Sequence, residues 1–545
     1  MTESEPLEIW GGVECSILRV GSKLRNQLIE TGHYHRLLDI DLIVETGIKT
    51  VRYPLLWESI CGQPGHYDWA WPDARVRRLR DLGIGIIAGF IHHGSGHRNL
   101  HFLQPEFRRL FADYALEVAR RYPGINAFTP INEPLTTARI SGLYGVWHPH
   151  GKDEGTFLRL TLAQCCAIKT AMIAIRTVNP SARLVQTEDV GKTFSTPKLK
   201  YQAEYENERR WLAFDLLEGK VDRHHPFHGR LIRAGASRED LASLVDVPCP
   251  VDTIGIDYYL TSDRFLDDRP ERFPGEARGG NGIHEYVDVA APRADVPLGK
   301  AGRLARIEET WERYRRNIVV TEVHNGCTRE EQLRWLMEAW ADAHRARASG
   351  IDISAVTAWS FFGAVDWDSM LSRNQGVYES GVFDARYSPP RPTVLRDALI
   401  SLARHQTFDH PVLDRPGWWQ PDGPGESARV ILICEENLIL ESCCRRRRMD
   451  FACFTGGYDV FSELRSRGAW AFVRIEGDTL IGEYLEGDRL VLHAKAAFDR
   501  TNVINAFLDL LIDGAKGSFV LTRADSRNQY DFSDVAAKIV VGSAF

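Results

Sequence analysis

From residue 7 to about residue 407 the chain alternates short apolar runs with longer amphipathic stretches, and no other feature narrows its fold so far. Such alternation predicts βα units wound around a parallel sheet. Residues 7–13, 50–55, 85–91, 127–131, 182–187, 252–258, 318–321 and 355–359 read as strands. Residues 37–45, 74–82, 105–121 and 157–178 read as helices. The third of these has 3.6-residue periodicity, with Phe107, Leu110, Phe111, Tyr114 and Val118 on one face. Eight strands fit a closed (β/α)8 TIM barrel, an α/β fold. Its active-site face is made by the C-terminal ends of the strands. Polar residues gather at nearly all of those ends, in Trp57-Glu58, His92-His93, Asn132-Glu133 and Glu188-Asp189.

Two of these ends carry the chemistry. Thr129-Pro130-Ile131-Asn132-Glu133-Pro134 puts a carboxylate beside an amide and a helix-breaking proline, just after an apolar strand. Glu322 closes another strand in Val319-Val320-Thr321-Glu322-Val323-His324-Asn325-Gly326. Cleavage of a glycosidic bond needs two such groups, one protonated to donate to the leaving oxygen and one ionised. Either glutamate alone would pass for a solvated turn residue; the pair, in a chain of eight strands, does not.

The chain has 545 residues, 44% hydrophobic and 26% charged, with a formal net charge of −7. The basic excess of a nucleic-acid binder is missing, and no membrane association is expected from the apolar runs. Residues 1–6 are acidic and lack the basic-then-apolar order of a signal peptide. Ten cysteines without metal-ligand spacing suit a reducing cytosol, so a cytoplasmic location with no metal and no cofactor is expected. Residues 263–306, rich in Pro, Gly, Asp and Arg, read as a long loop over the barrel mouth. Residues 1–407 form the barrel, 408–428 a Pro/Gly-rich linker, and 429–545 a second, smaller Rossmann-like α/β domain. After its first strand the run Cys434-Glu435-Glu436-Asn437 sets acids where a dinucleotide would need glycines. Arg445-Arg446-Arg447-Arg448 reads as a solvated helix end.

Over residues 7–400 the chain resembles glycoside hydrolase family 1, within the clan of retaining (β/α)8 glycosidases. Trp10-Gly11, Arg52 in Val51-Arg52-Tyr53-Pro54, Asn132-Glu133-Pro134, Ile256-Asp257-Tyr258-Tyr259, Thr321-Glu322 with Asn325-Gly326, and Trp359-Ser360 with Asp366-Trp367 are similar to its motifs and follow its order. The resemblance implies Glu133 as acid/base, Glu322 as nucleophile and Asn132 as partner of the sugar 2-hydroxyl. It implies Arg52 and Tyr258 as holders of the nucleophile, His92 and Trp359 as sugar contacts, and Asp366 as the grip on outer hydroxyls. The departures are as specific. Val323-His324 are inserted before Asn325, Asp stands for Glu at 366, His93 replaces an aromatic residue, and the glutamine expected after the first strand is replaced around Leu18-Arg19. Residues 429–545 resemble a shortened sugar-nucleotide reductase of the dehydrorhamnose reductase type without its glycine fingerprint. That implies a degenerate domain kept for packing or for homo-oligomer assembly.

The expected activity is therefore retaining hydrolysis of a β-glycoside or small oligosaccharide. A transglycosylase would share every catalytic residue. A non-catalytic sugar-binding or regulatory protein on a glycosidase scaffold would be of a different class. The expected partner is a small carbohydrate.

Overall fold

The computed structural model describes residues 6–497, 504, 507–508, 511 and 540–541, leaving out 64, 97–99, 274–276, 295, 297–298, 327–328, 415, 421–430, 434–436, 447–450, 454–459, 467–470 and 487–488. Two compact units divide it: Met1–Asn325 with Leu333–His410, and Gly326–Gln332 with Pro411–Phe545.

In the first unit the eight expected strands are all present and close a barrel. They are β1 (Glu8–Gly12), β2 (Thr50–Pro54), β3 (Gly85–His92), β4 (Ala127–Asn132), β5 (Arg183–Asp189), β6 (Thr253–Asp257), β7 (Asn317–Val323) and β8 (Ile353–Ala358). Neighbours in sequence pair in parallel, and β8 closes on β1 through Glu8↔Ala355 to Gly11↔Ala358. Strands walled by side chains on both faces should be apolar throughout, and Val51, Ile87, Phe128, Ile254, Val319 and Val356 are all buried. Gly12 has no substitute, because a Cβ there would stand 2.3 Å from the Trp359 ring.

Helices wrap the barrel as the periodicity requires. Phe107–Arg121 buries Phe107, Phe111, Tyr114 and Val118, while Leu110 stays half-buried. Trp57 packs on three of these rings at centroid distances of 5.3, 5.4 and 6.2 Å. Glu154–Val178 is started by Asp153, whose carboxylate accepts from Thr156 N at 2.7 Å. This helix is long and apolar enough to cross a bilayer by composition, but 67% of its most apolar window is buried inside the protein.

Residues 263–306 depart from the expected loop. Arg264–Asp267, Arg278–Gly280 and Glu285–Ala290 join Thr193–Ser195 in a four-stranded sheet, and the helix Arg303–Tyr314 begins inside the stretch. Strands of three to six residues set between Pro and Gly leave no readable periodicity. Asp263, fully buried, ties the excursion down by accepting from Lys192 N (2.7 Å), Gly302 N (2.9 Å) and Arg306 Nη1 (3.1 Å).

The second unit holds a six-stranded sheet. Phe451–Cys453, Ile431–Ile433 and Ala471–Glu476 lie parallel in that order, and Thr479–Glu486, Arg489–Ala497 and Val540–Val541 continue it antiparallel. The helices Leu438–Arg446 and Val460–Ser466 fall between the parallel strands in sequence. Ile433, Leu440, Cys443, Cys444, Val473, Phe507 and Leu511 form its core. Cys434–Glu436, most of the Pro/Gly-rich linker, and residues 447–448 of the arginine run lie outside the described residues.

Candidate active site

Glu133 follows directly on β4 and is presented by a strained turn. Its backbone is left-handed (φ 41°, ψ 64°), a conformation that costs a non-glycine residue roughly 1–2 kcal/mol. Pro134 then opens a five-residue helix, where its missing N–H is no loss. Glu188 at the end of β5 holds that helix start. Its carboxylate accepts from Leu135 N (2.7 Å), Thr136 N (3.1 Å) and Thr136 Oγ1 (2.7 Å). Glu188 is thus a brace for the Glu133 turn, even though burial pushes its carboxyl up to about 7.

Glu322 reaches the barrel lumen through a slip in register. Ile256 pairs with Val320 but Asp257 with Glu322, so Thr321 and Glu322 together occupy one step of β7. Both side chains then turn inward. Thr321 Oγ1 donates to Asp257 Oδ1 at 2.6 Å, and Glu322 accepts from Arg52 Nη1 at 3.0 Å. The other oxygen of Glu322 accepts from the Tyr259 hydroxyl at 2.5 Å. The sequence points to Tyr258 for this task, and the structure corrects it. Tyr258 lies on the opposite face of the chain, stacked 6.1 Å from Trp335 with the Arg303 guanidinium 5.7 Å from its ring.

Arg52 joins the two halves of the site. Its guanidinium also donates to Thr321 O (2.8 Å) and Asn132 Oδ1 (2.6 Å) and lies 4.8 Å above the Trp359 ring. Asn132 Oδ1 also accepts from Thr187 Oγ1 (2.7 Å), so only its Nδ2–H is left for a ligand, 3.4 Å from His92 Nε2. His92 stacks on Trp359 at 5.3 Å, and burial pushes its pKa well below the ordinary histidine value, keeping it neutral. Burial, then the negative charge of Asp257 and Glu322, drives the Glu133 carboxyl well above the carboxylate range, the state an acid needs. A cavity inside the barrel is lined by Cys15, Arg52, His92, Asn132 and Trp359.

One expectation shifts. Asp366 is fully buried and its oxygens are engaged by Arg25 Nη2 (2.9 Å), Gln375 N (3.1 Å) and Val377 N (2.8 Å). It anchors its own loop instead of reaching outward to a sugar. The inserted His324 bridges Trp359 O (3.2 Å) and Glu379 Oε2 (2.9 Å), fastening the end of β7 to that of β8.

One side chain was not singled out from the sequence. Glu14, two residues beyond β1, stands 3.9 Å from His92 Nε2, accepts from Ser16 N and Oγ (2.9 and 2.6 Å), and is pushed up to about 7 chiefly by burial. Its place just past a barrel strand was the available signal. Trp147 and Trp367 stand edge to face at 6.1 Å. Among the described residues no group of three or more His, Cys, Asp or Glu side chains is placed to hold a metal.

A closed parallel barrel, with Glu322 held by Arg52 and Glu133 set at another of its strand ends, defines the class of fold: a (β/α)8 barrel. The comparisons give it particular relatives. The chain is 24% identical over 411 residues to the bifunctional β-D-glucosidase/β-D-fucosidase of Bifidobacterium breve, covering 64% of this chain and 83% of that protein. Its fold matches the family 1 β-glucosidase from Thermotoga maritima with a TM-score of 0.59 at 14% identity, over 74% of this chain and 99% of that one. The same enzyme in complex with deoxynojirimycin matches with a TM-score of 0.58 at 13% identity, over 74% and 99%. No family model matches. The likeness of the barrel to family 1 β-glucosidases, expected from the motifs, is thereby shown.

Proposed function

We propose that the chain is a retaining β-glycosidase working by double displacement, with Glu322 as nucleophile and Glu133 as acid/base. The observation that carries this reading is the opposite environment of the two carboxyls. Glu322 accepts hydrogen bonds from the Arg52 guanidinium on one oxygen and from the Tyr259 hydroxyl on the other. Among the described residues no cation hydrogen-bonds Glu133, which faces the charge of Asp257 and Glu322, and these favour its acid form. Glu322 attacks the anomeric carbon while Glu133 protonates the leaving oxygen. Glu133 then takes a proton from water, and that water releases the sugar from the ester. Asn132 Nδ2, His92, the Glu14 carboxyl and the Trp359 face bind the glycon, a small neutral sugar. The proposed reaction calls on no cofactor, and the proposed location is the cytoplasm. The 429–545 unit is a degenerate reductase-like domain that serves packing or self-assembly, and a monomer at all concentrations in sedimentation would remove assembly.

The test is release of phenols from aryl β-glucosides, fucosides, galactosides, mannosides and xylosides by the parent, Glu322→Ala and Glu133→Gln. The parent should turn over at least one, and Glu322→Ala should lose about 10⁴-fold or more, the general cost of a missing nucleophile. A 2-fluoro glycoside that leaves Glu322 unlabelled while phenol is still released by the alanine variant would overturn the assignment.

A further inference from the structure

The residue after His92 is a second histidine where the resemblance calls for an aromatic ring. Its backbone is left-handed (φ 57°), and its imidazole faces Glu133. His93 Nε2 stands 3.4 Å from Glu133 Oε2, and His93 Nδ1 stands 3.0 Å from Thr137 Oγ1. Thr137 Oγ1 in turn lies 3.4 Å from the carbonyl of Asn132. The ring is boxed in by Trp147 at 5.1 Å and Trp367 at 5.6 Å, and is only 5% exposed.

Resting on the glycosidase reading above, we infer that His93 is a positioning residue for the acid: its neutral Nε2 accepts the proton of Glu133 and holds it on Oε2.

Hydrogen counting supports the direction. The Thr137 hydroxyl has one hydrogen and two neighbours to serve. If it donates to Asn132 O, then His93 Nδ1–H donates to Thr137 Oγ1 and Nε2 is left with a lone pair toward Glu133. Every donor in the chain Glu133–His93–Thr137–Asn132 O then has an acceptor. The opposite tautomer leaves the Asn132 carbonyl without its Thr137 donor and puts the acid proton on Oε1, which is buried and unpartnered. Burial and the Arg52 charge push His93 down to about 3, so the imidazole stays neutral and leaves the proton on Glu133. The groups facing this pair are Asp257, Glu322, Glu188 and Asp189 around Glu133, with Arg139 and Tyr259, and Arg52 and His92 around His93. None of them approaches Glu133 Oε2 as an acceptor of its proton in the described hydrogen bonds. When a glycoside binds, its bridging oxygen takes the place of Nε2 as acceptor. The O–H bond of Glu133 breaks, a bond to the leaving oxygen forms, and no other reagent enters.

An acceptor for the neutral carboxyl raises its pKa, so its removal should move the alkaline limb of kcat/KM to lower pH. The experiment compares the full-length parent, His93→Phe, His93→Gln and Glu133→Gln on aryl glycosides of graded leaving group. His93→Phe should slow methoxyphenyl glycosides at least tenfold, spare dinitrophenyl glycosides to within about threefold, and shift the alkaline limb down. His93→Gln, whose amide oxygen can accept, should recover most of the loss. A phenylalanine variant that folds like the parent but loses both substrates equally, or keeps its alkaline limb, overturns the proposal. A second reading needs no turnover. In ¹⁵N-histidine spectra of the parent, assigned against His93→Gln, Nδ1 should be protonated and Nε2 bare, and a protonated Nε2 overturns the proposal by itself. Failure of the glycosidase reading looks different: Glu133→Gln would then show no leaving-group dependence at all.

Discussion

Tyr259 is the side chain whose assignment turns most directly on geometry. A hydrogen bond to an ionised group contributes about 1.5–3 kcal/mol, and Tyr259 gives one to Glu322. Tyr259→Phe should therefore lower kcat/KM by about 10- to 100-fold, with little change in melting temperature. Tyr258→Phe, on the packed outer face, should leave kcat/KM within about threefold. Equal losses in the two variants would contradict the placement. Both tyrosines were visible in the sequence as one Asp-Tyr-Tyr element. The choice between them depends on which face the chain shows after Asp257, and strand periodicity stops at the strand end. Glu14 escaped for a related reason: once the strand has ended, burial cannot be read from alternation, so a charged residue there looks like part of a turn.

At the scale of elements, the eight barrel strands were legible because a strand buried on both faces leaves a short, uninterrupted apolar run. Their ends moved by only a few residues. The sheet built from Thr193–Ser195, Arg264–Asp267, Glu285–Ala290 and Arg278–Gly280 was not legible, since its strands come from separate stretches and carry charged residues between glycines. The loop after β8 shows a second kind of dependence. Arg25, from the hairpin Ile17–Val20/Lys23–Asn26, supplies the cation for fully buried Asp366 and also donates to Leu371 O (3.2 Å) and Arg373 O (2.7 Å). Removing one partner from a buried ion pair costs about 3–5 kcal/mol. Arg25→Ala should approach that cost in chemical unfolding and raise KM by freeing Trp367. Arg25→Ala together with Asp366→Asn should recover part of it, and an Arg25→Ala protein of parental stability would show the pair to be idle.

Across the whole molecule, the barrel mouth gathers more acids than bases. Glu14 and Glu188 are buried and Glu58 is half-buried, and each is pushed up to about 7, chiefly by burial. A carboxyl whose folded pKa lies above its unfolded one binds more protons when folded. Its contribution to stability is therefore complete at acid pH and declines as pH rises from about 4.5 to about 7. Each group can account for at most about 3 kcal/mol across that window. The melting temperature of the barrel unit should fall between pH 5 and 7 and level off above, and Glu58→Gln should flatten the fall. A melting temperature that rises over that window would contradict the burial of these groups. One consequence of the register slip in β7 lies outside enzymology. Because Thr321 and Glu322 share a single step, the lumen position of Glu322 belongs to the spacing of the strand and not to the glutamate itself. A designer copying this carboxylate onto a regular barrel strand, residue for residue, would send it to the helix layer; the extra residue has to travel with it.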